Sequence, residues 1–226
     1  MMYHKTWNPW IRENSSLRRT SKTTFFRPLT YKKPIRIFVG TEADFFDPEV
    51  PHVWRRDAVE IMTKQRDLTF LIPSTQPDPT CILPNTWIGL KIKNDTNLIK
   101  LLKSIEHLPF VKRWVLFDGL TKPKDIMPLF RCDSEIHIGE KGWHPAYPCD
   151  KCLGDGYLNK YMIQWNVVSG DKAKYMDIDI VRNIQHYSDV LHIPFYYKQA
   201  LIGGKLIRKP YLDGKQYGQL PREFSL

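Results

Sequence analysis

No cysteine precedes Cys81, and only Cys132, Cys149 and Cys152 follow it. Four thiols spread this way do not resemble the disulfide framework of a secreted scaffold. No apolar run approaches the roughly 20 residues that a membrane span needs. The start, Met1-Met2-Tyr3-His4-Lys5, lacks the apolar stretch of a secretion signal, so cytoplasmic residence and no membrane partner are expected. Acids are scarce where bases gather: from Arg12 to Lys33 the only acid is Glu13, against Arg12, Arg18, Arg19, Lys22, Arg27, Lys32 and Lys33. No Walker loop, dinucleotide-binding glycine fingerprint, HExxH or GxSxG occurs, which removes the common signatures of those enzyme classes.

The chain is 226 residues long and 42% hydrophobic. That suits one substantial domain, or one domain with a small insertion. Net charge is +10, from 34 Lys+Arg against 24 Asp+Glu. Such an excess favours polyanions such as nucleic acid, although solubility alone also accounts for it. The tail from Lys198 adds Lys205, Arg208, Lys209, Lys215 and Arg222 against Asp213 and Glu223. Arg18, Arg19, Lys22 and Arg27 are the candidate phosphate contacts. Aromatics interleave with cations in Phe25-Phe26-Arg27 and in Tyr196-Tyr197-Lys198, a combination that serves base stacking, or simply core packing.

Residues 1–33 are polar, basic and without apolar periodicity, and read as an N-terminal arm or irregular lead-in. Regular patterning begins after Pro34 and runs to 226. Strands are expected at Ile35–Val39, Leu68–Ile72, Trp87–Ile92, Arg113–Phe117, Gln164–Val168 and Ile193–Tyr197. Helical spacing is expected around Val53–Arg66, Thr96–His107 and after Asp177, a suitable N-cap. Pro77, Pro79 and Pro84 forbid a helix interior between the second and third strands. Residues 120–160 break the pattern and read as an insertion. Gly203-Gly204 marks a tight hairpin. Strands alternating with helices give an α/β class with a parallel sheet, either open and doubly wound or a partial barrel.

Thr6-Trp7-Asn8-Pro9-Trp10 near one end and Ile193-Pro194-Phe195-Tyr196-Tyr197-Lys198-Gln199 near the other carry a family resemblance. Between them lie Asp44-Phe45-Phe46, Asn85-Thr86-Trp87-Ile88-Gly89-Leu90 and Trp165-Asn166-Val167-Val168-Ser169-Gly170-Asp171. In order and spacing these segments resemble a phage-borne family of predicted radical S-adenosylmethionine (SAM) enzymes of unknown substrate. The resemblance implies a partial (β/α)6-type barrel, in a host cytoplasm if the gene is phage-borne. In that family the Trp-Asn-Pro turn leads at once into three cysteines that ligate an iron–sulfur cluster. Here Ile11-Arg12-Glu13-Asn14-Ser15-Ser16-Leu17-Arg18-Arg19 follows instead. Three thiolates on one loop are what such a cluster needs, so neither cluster nor SAM chemistry is expected. Ser169 stands where the family has the first of two glycines, and only Gly170 remains.

Two other constellations carry chemistry. Ligands of parallel α/β sheets gather at the carboxyl ends of strands, and Asp44, Asp118, Asp171, Lys198 and Gln199 are expected on that rim. Such a set suits a polar ligand, a divalent cation or acid–base work, unless the residues are solvated loop ends. In the insertion, Cys132, His144, Cys149 and Cys152 offer a tetrahedral site for structural zinc, with free thiols as the other reading. The expectation for function is a cluster-less relative that binds nucleic acid or a nucleotide. A metal-dependent or partner-completed enzyme is the second reading, and an interaction component with a protein partner encoded nearby is the third.

Overall fold

The structure, a computed structural model, describes residues 4–78, 83–106, 112–122, 126–130, 138–139, 142–143, 161–170 and 174–224. In chain order the first elements are β1 (His4–Trp7), β2 (Trp10–Glu13), β3 (Ser16–Arg19) and α1 (Lys22–Phe25). A 3-10 turn at Arg27–Thr30 precedes β4 (Arg36–Val39), α2 (His52–Lys64), β5 (Thr69–Ser74), β6 (Thr86–Ile92) and α3 (Leu98–Glu106). Then come β7 (Lys112–Asp118), β8 (Ile138–Gly139), β9 (Gly142–Trp143), β10 (Ile163–Ser169) and α4 (Ile178–Val190). The last elements are β11 (Phe195–Ile202), β12 (Lys205–Arg208), β13 (Tyr211–Leu212) and β14 (Lys215–Gln216).

The fold is mixed α/β, with strands hydrogen-bonded in the order β1-β4-β5-β6 and in the order β7-β10-β11-β12. By contacts the chain divides into two compact units: Met1–Lys91 with Lys103–Arg113, and Ile92–Leu102 with Trp114–Leu226. The zinc candidates Cys132, His144, Cys149 and Cys152, and the rim candidate Asp171, lie outside the described residues.

In the first unit, β1 pairs parallel with β4, β4 with β5 and β5 with β6. β5 and β6 are almost wholly buried along their length, as strands covered on both faces are. That is why Thr-Phe-Leu-Ile and Trp-Ile-Gly-Leu read as continuous apolar runs instead of alternating ones. α2 supplies the crossover from β4 to β5. Its buried residues, Arg55, Ala58, Ile61 and Met62, share one stripe at helical spacing.

The stretch read as an irregular lead-in holds three strands. β1 escaped the sequence reading because Lys5 and Thr6 are exposed and give no apolar pattern before the buried Trp7. Its place comes from pairing Thr6 with Phe38 and Trp7 with Val39, contacts that no local pattern encodes. β2 and β3 form a hairpin whose turn residues, Asn14 and Ser15, both have positive φ (45° and 67°). This matches the two-residue turn that follows the natural twist of paired strands. Trp10 is fully buried at its base, where its indole N–H donates to the Asp44 carbonyl at 3.2 Å and its ring lies 5.0 Å from Phe45.

In the second unit, β10 pairs parallel with β11, and β12 returns antiparallel to β11 through the Gly203-Gly204 turn. α4 starts where expected: the Asp177 carboxylate accepts the N–H groups of Asp179 and Ile180. It stops at Leu191, after which His192 adopts a positive φ of 53° and Pro194 follows. Trp114 and Trp165 are fully buried, with ring centroids 5.7 Å apart. Among this apolar packing sits Asn166, wholly buried. Its Nδ2 donates to Ser188 Oγ at 2.9 Å, and that hydroxyl donates to the Ile184 carbonyl at 2.6 Å, tying β10 to α4. Asn166 Oδ1 has no partner among the described residues.

Removing one member of that chain should cost more than removing both, because a stranded buried amide keeps its full desolvation penalty. Ser188→Ala is expected to lower stability by about 1–3 kcal/mol, whereas the double variant Asn166→Val/Ser188→Ala recovers most of the loss. Urea unfolding checks this; a double variant at least as unstable as the two single losses combined contradicts it.

Candidate functional site

The carboxyl ends of the strands are the natural place to look for a site, and here their loops are fastened to one another. At the end of β1, Asn8 Oδ1 accepts the Thr41 N–H at 2.8 Å, the Thr41 hydroxyl at 3.1 Å and the Glu42 N–H at 3.3 Å, all in the loop after β4. From that same loop, Asp44 Oδ2 accepts the N–H and hydroxyl of Thr75, just past β5, at 2.8 and 3.1 Å. Asp44 Oδ1 accepts the Phe46 N–H at 3.0 Å. Gly40 turns the chain out of β4 with φ +69°, and a Cβ there would come within 2.8 Å of the Ala43 carbonyl. The Trp-Asn-Pro-Trp and Asp-Phe-Phe segments are therefore explained by local structure: two indoles fill the core, and one amide and one carboxylate latch neighbouring loops.

The second unit is latched in the same way. Asn94, after β6, accepts the Thr121 N–H at 3.0 Å, and its Nδ2 donates to Thr121 Oγ1 at 3.1 Å. The Gly119 N–H donates to the Ser169 carbonyl at 2.8 Å, which sets the ends of β7 and β10 side by side. Gly170 and Gln199 exchange two bonds: the Gly170 N–H donates to the Gln199 carbonyl at 2.7 Å, and Gln199 Nε2 donates to the Gly170 carbonyl at 3.0 Å. A Cβ on Gly170 would lie 2.9 Å from Ala200 Cα. This close approach to β11 explains the retained glycine without reference to a cofactor.

Of the expected rim residues, Asp44 and Gln199 carry the hydrogen bonds just described. Asp44 belongs to the first unit, while Asp118, Lys198 and Gln199 belong to the second. Asp118 is the last residue of β7 and, like Lys198, has interactions of its own. Lys198 and Gln199 lie inside β11, which runs on to Ile202 to pair with β12. The register shifts beside them: Val168 pairs with Tyr197 and Ser169 with Gln199, so Lys198 is the extra residue of a bulge. Among the described residues no group of three or more His, Cys, Asp and Glu converges as a metal site, and no helix is long and apolar enough to cross a membrane.

After β1 the chain passes through Asn8 and Pro9 directly into the β2–β3 hairpin, the Asn8 side-chain oxygen is already fully used, and no thiol precedes Cys81.

Free cationic capacity lies elsewhere, on the stretch after β3. The N–H groups of Phe25, Phe26, Leu29 and Tyr31 donate to the carbonyls of Ser21, Lys22, Phe26 and Pro28. Two short helical turns, Lys22–Phe25 and Arg27–Thr30, therefore occupy the stretch read as an arm or irregular lead-in, with Lys22 and Arg27 on them and Lys32 and Lys33 just after. Of the four candidate contacts, Arg18 pairs with Glu13 at 2.7 Å. Arg19 pairs with Asp57 at 3.0 Å and covers the Phe25 ring with its guanidinium 3.8 Å from the centroid. Lys22 and Arg27 are exposed and form no ion pair with a described residue, and the same holds for Lys32 and Lys33. No acid occurs between Glu13 and Glu42, so nothing in the local sequence neutralises them.

Residues 2–221 match the family described as "Protein of unknown function (DUF5131)". The chain belongs to that family. No curated protein and no solved structure matches it. In this DUF5131 member, sequence reasoning found the basic stretch but missed its two short helical turns and Phe26, a residue 43% exposed. The available signal was the tripeptide Phe25-Phe26-Arg27 itself, since a short helical turn cannot bury two adjacent rings on one side.

A second cationic segment, near the C-terminus, is pinned by Arg182 of α4. Its guanidinium donates to both carboxylate oxygens of Asp213, at 3.0 Å from Nε to Oδ2 and 2.7 Å from Nη2 to Oδ1. These bonds push the Asp213 pKa below the ordinary carboxylate value and raise that of Arg182. A depressed carboxylate stabilises the folded state above its unfolded midpoint and loses that contribution as pH falls through the folded one. Asp213 should therefore titrate below the usual midpoint of ~3.9, and return to it in Arg182→Gln. Carboxyl-detected NMR titration checks both; an unshifted midpoint in the parent protein contradicts the coupling.

Proposed function

We propose that this protein is a binding protein for nucleic acid and that the acid-free stretch from Lys22 to Lys33 is its contact face. The observation that carries the reading is the set of four exposed cations, Lys22, Arg27, Lys32 and Lys33, that form no ion pair with a described residue. Arg18 and Arg19 border the set but have their charge countered by Glu13 and Asp57. Cations that meet a phosphate backbone release its condensed counterions, so binding of this kind weakens steeply with salt. Surface ion pairs of the Arg18–Glu13 type contribute little to stability, and their dipolar field attracts phosphate less than a lone cation does.

With this goes a reading of descent: a divergent, cluster-less relative of phage-borne radical SAM-like proteins, whose sheet derives from a partial (β/α)6-type barrel. Parallel pairing with helical connections at α2, α3 and α4 supports it, as does the placement of the Trp-Asn-Pro and Lys-Gln segments at strand ends and within β11. Residues after β1 supply no thiolate, so no step is assigned to a cluster or to SAM. Structural zinc at Cys132, His144, Cys149 and Cys152 remains part of the proposal on its ligand spacing alone.

Two measurements test these readings. Fluorescence anisotropy with labelled DNA and RNA at about 50 and 200 mM salt should show affinity falling at least tenfold between them. The quadruple variant Lys22→Ala/Arg27→Ala/Lys32→Ala/Lys33→Ala should lose most binding and flatten the salt slope, while Arg18→Ala changes either by less than about threefold. Salt-independent binding, or none, overturns the nucleic-acid reading. Separately, anaerobic reconstitution should yield neither stoichiometric iron with sulfide nor reductive SAM cleavage; finding both would restore the radical-enzyme reading.

A further inference from the structure

The contact face carries apolar surface as well as charge. Phe26 is 43% exposed and Leu29 40% exposed, and both lie between Lys22 and Lys32. A ring left this open forgoes part of the stabilisation that burial would give it, and its position is nevertheless fixed. Phe26 caps α1, its N–H donates to the Lys22 carbonyl, and its ring stands edge-on to Phe25 at 5.2 Å and 80°. Phe25 in turn is fully buried. Trp7 meets it edge-on at 6.1 Å and donates its indole N–H to the Phe25 carbonyl at 3.1 Å. The exposed ring is thus braced from the core outward and loses little freedom when something packs on it.

We propose that Phe26 is a stacking platform for an unpaired base, which makes the ligand of this face single-stranded nucleic acid. This rests on the reading that the face binds nucleic acid and adds the class of strand. The charge around the ring selects a polyanion: exposed Lys22 and Arg27 flank it in sequence, Lys32 and Lys33 follow, and Lys5 lies 4.7 Å over the neighbouring Tyr31 ring. Within a duplex, base faces are covered by neighbouring pairs and only their edges show in the grooves. A single strand presents faces and phosphates alternately, which matches a ring set among cations. Stacking on an aromatic ring tolerates any base, so little sequence preference is expected.

The test is anisotropy on the full chain with an oligo-dT of about 20 nucleotides and a duplex of equal length, at two salt concentrations. The single strand should bind the parent protein more tightly than the duplex. Phe26→Ala should weaken single-strand binding about 5- to 20-fold, leaving duplex binding and the salt slope unchanged. Phe26→Leu, which keeps an apolar side chain against Phe25 without a ring, should lose as much, and Phe26→Tyr should bind like the parent. Equal binding of both nucleic acids, or variants that weaken both alike, overturns the stacking role while leaving the polyanion face standing. Absence of salt-dependent binding to either nucleic acid overturns the face and the platform together. Phe26→Leu binding the single strand like the parent shows that apolar surface without a ring suffices, and overturns the stacking role.

Discussion

A parallel strand ends with peptide groups that its neighbours no longer satisfy, and every loop leaving such a sheet must find partners for them. Here short polar side chains on adjacent loops meet that need. Asn8 holds the loop after β4, Asp44 holds the start of the loop after β5, Asn94 holds the segment after β7, and Gln199 clasps Gly170. Each latch joins residues far apart in sequence and leaves its donor or acceptor atoms largely occupied. The buried indoles depend on the same arrangement, since the Asp44 loop that is latched to Thr75 also provides the carbonyl for Trp10.

This commitment of the rim shapes what the molecule has left for binding. A carboxylate that accepts three hydrogen bonds has little capacity for a cation or a substrate hydroxyl without breaking them. Asp44 is in that position, and Gln199 is clasped to its neighbour on the adjoining strand. The cations after β3 are placed differently. Lys22 and Arg27 sit on short helical turns and Lys32 and Lys33 follow them, all four exposed and without an ion pair to a described residue. Arg12 shows the contrast: paired with Asp47 at 2.7 Å and Glu49 at 2.8 Å, with its pKa raised by those bonds, it serves the loop after β4.

Several motifs singled out in the sequence also hold the structure together. Gly170 is retained because the β11 backbone lies against it, and Ser169 ends β10 with its carbonyl accepting from Gly119. The Lys-Gln pair marks a bulge in the β10–β11 ladder. Conversely Phe26, inconspicuous beside Phe25 in sequence, has the exposed ring because the chain turns between them.

Central strands, amphipathic helices and the cap at Asp177 were legible in the sequence, because burial on both faces forces continuous apolar runs and helical spacing forces a stripe. The charge deficit of the first third was equally plain, as was the lack of thiols where a cluster would sit. Tertiary structure alone decided that β1 is a strand, since its exposed Lys5 and Thr6 give no local pattern and its place comes from pairing with β4. It alone decided which cations are spent, because the partners of Arg12 and Arg19 lie more than thirty residues away in Asp47, Glu49 and Asp57. Such long-range pairings gain their energy only once the loops between them have closed, and no local reading of composition or periodicity contains that term.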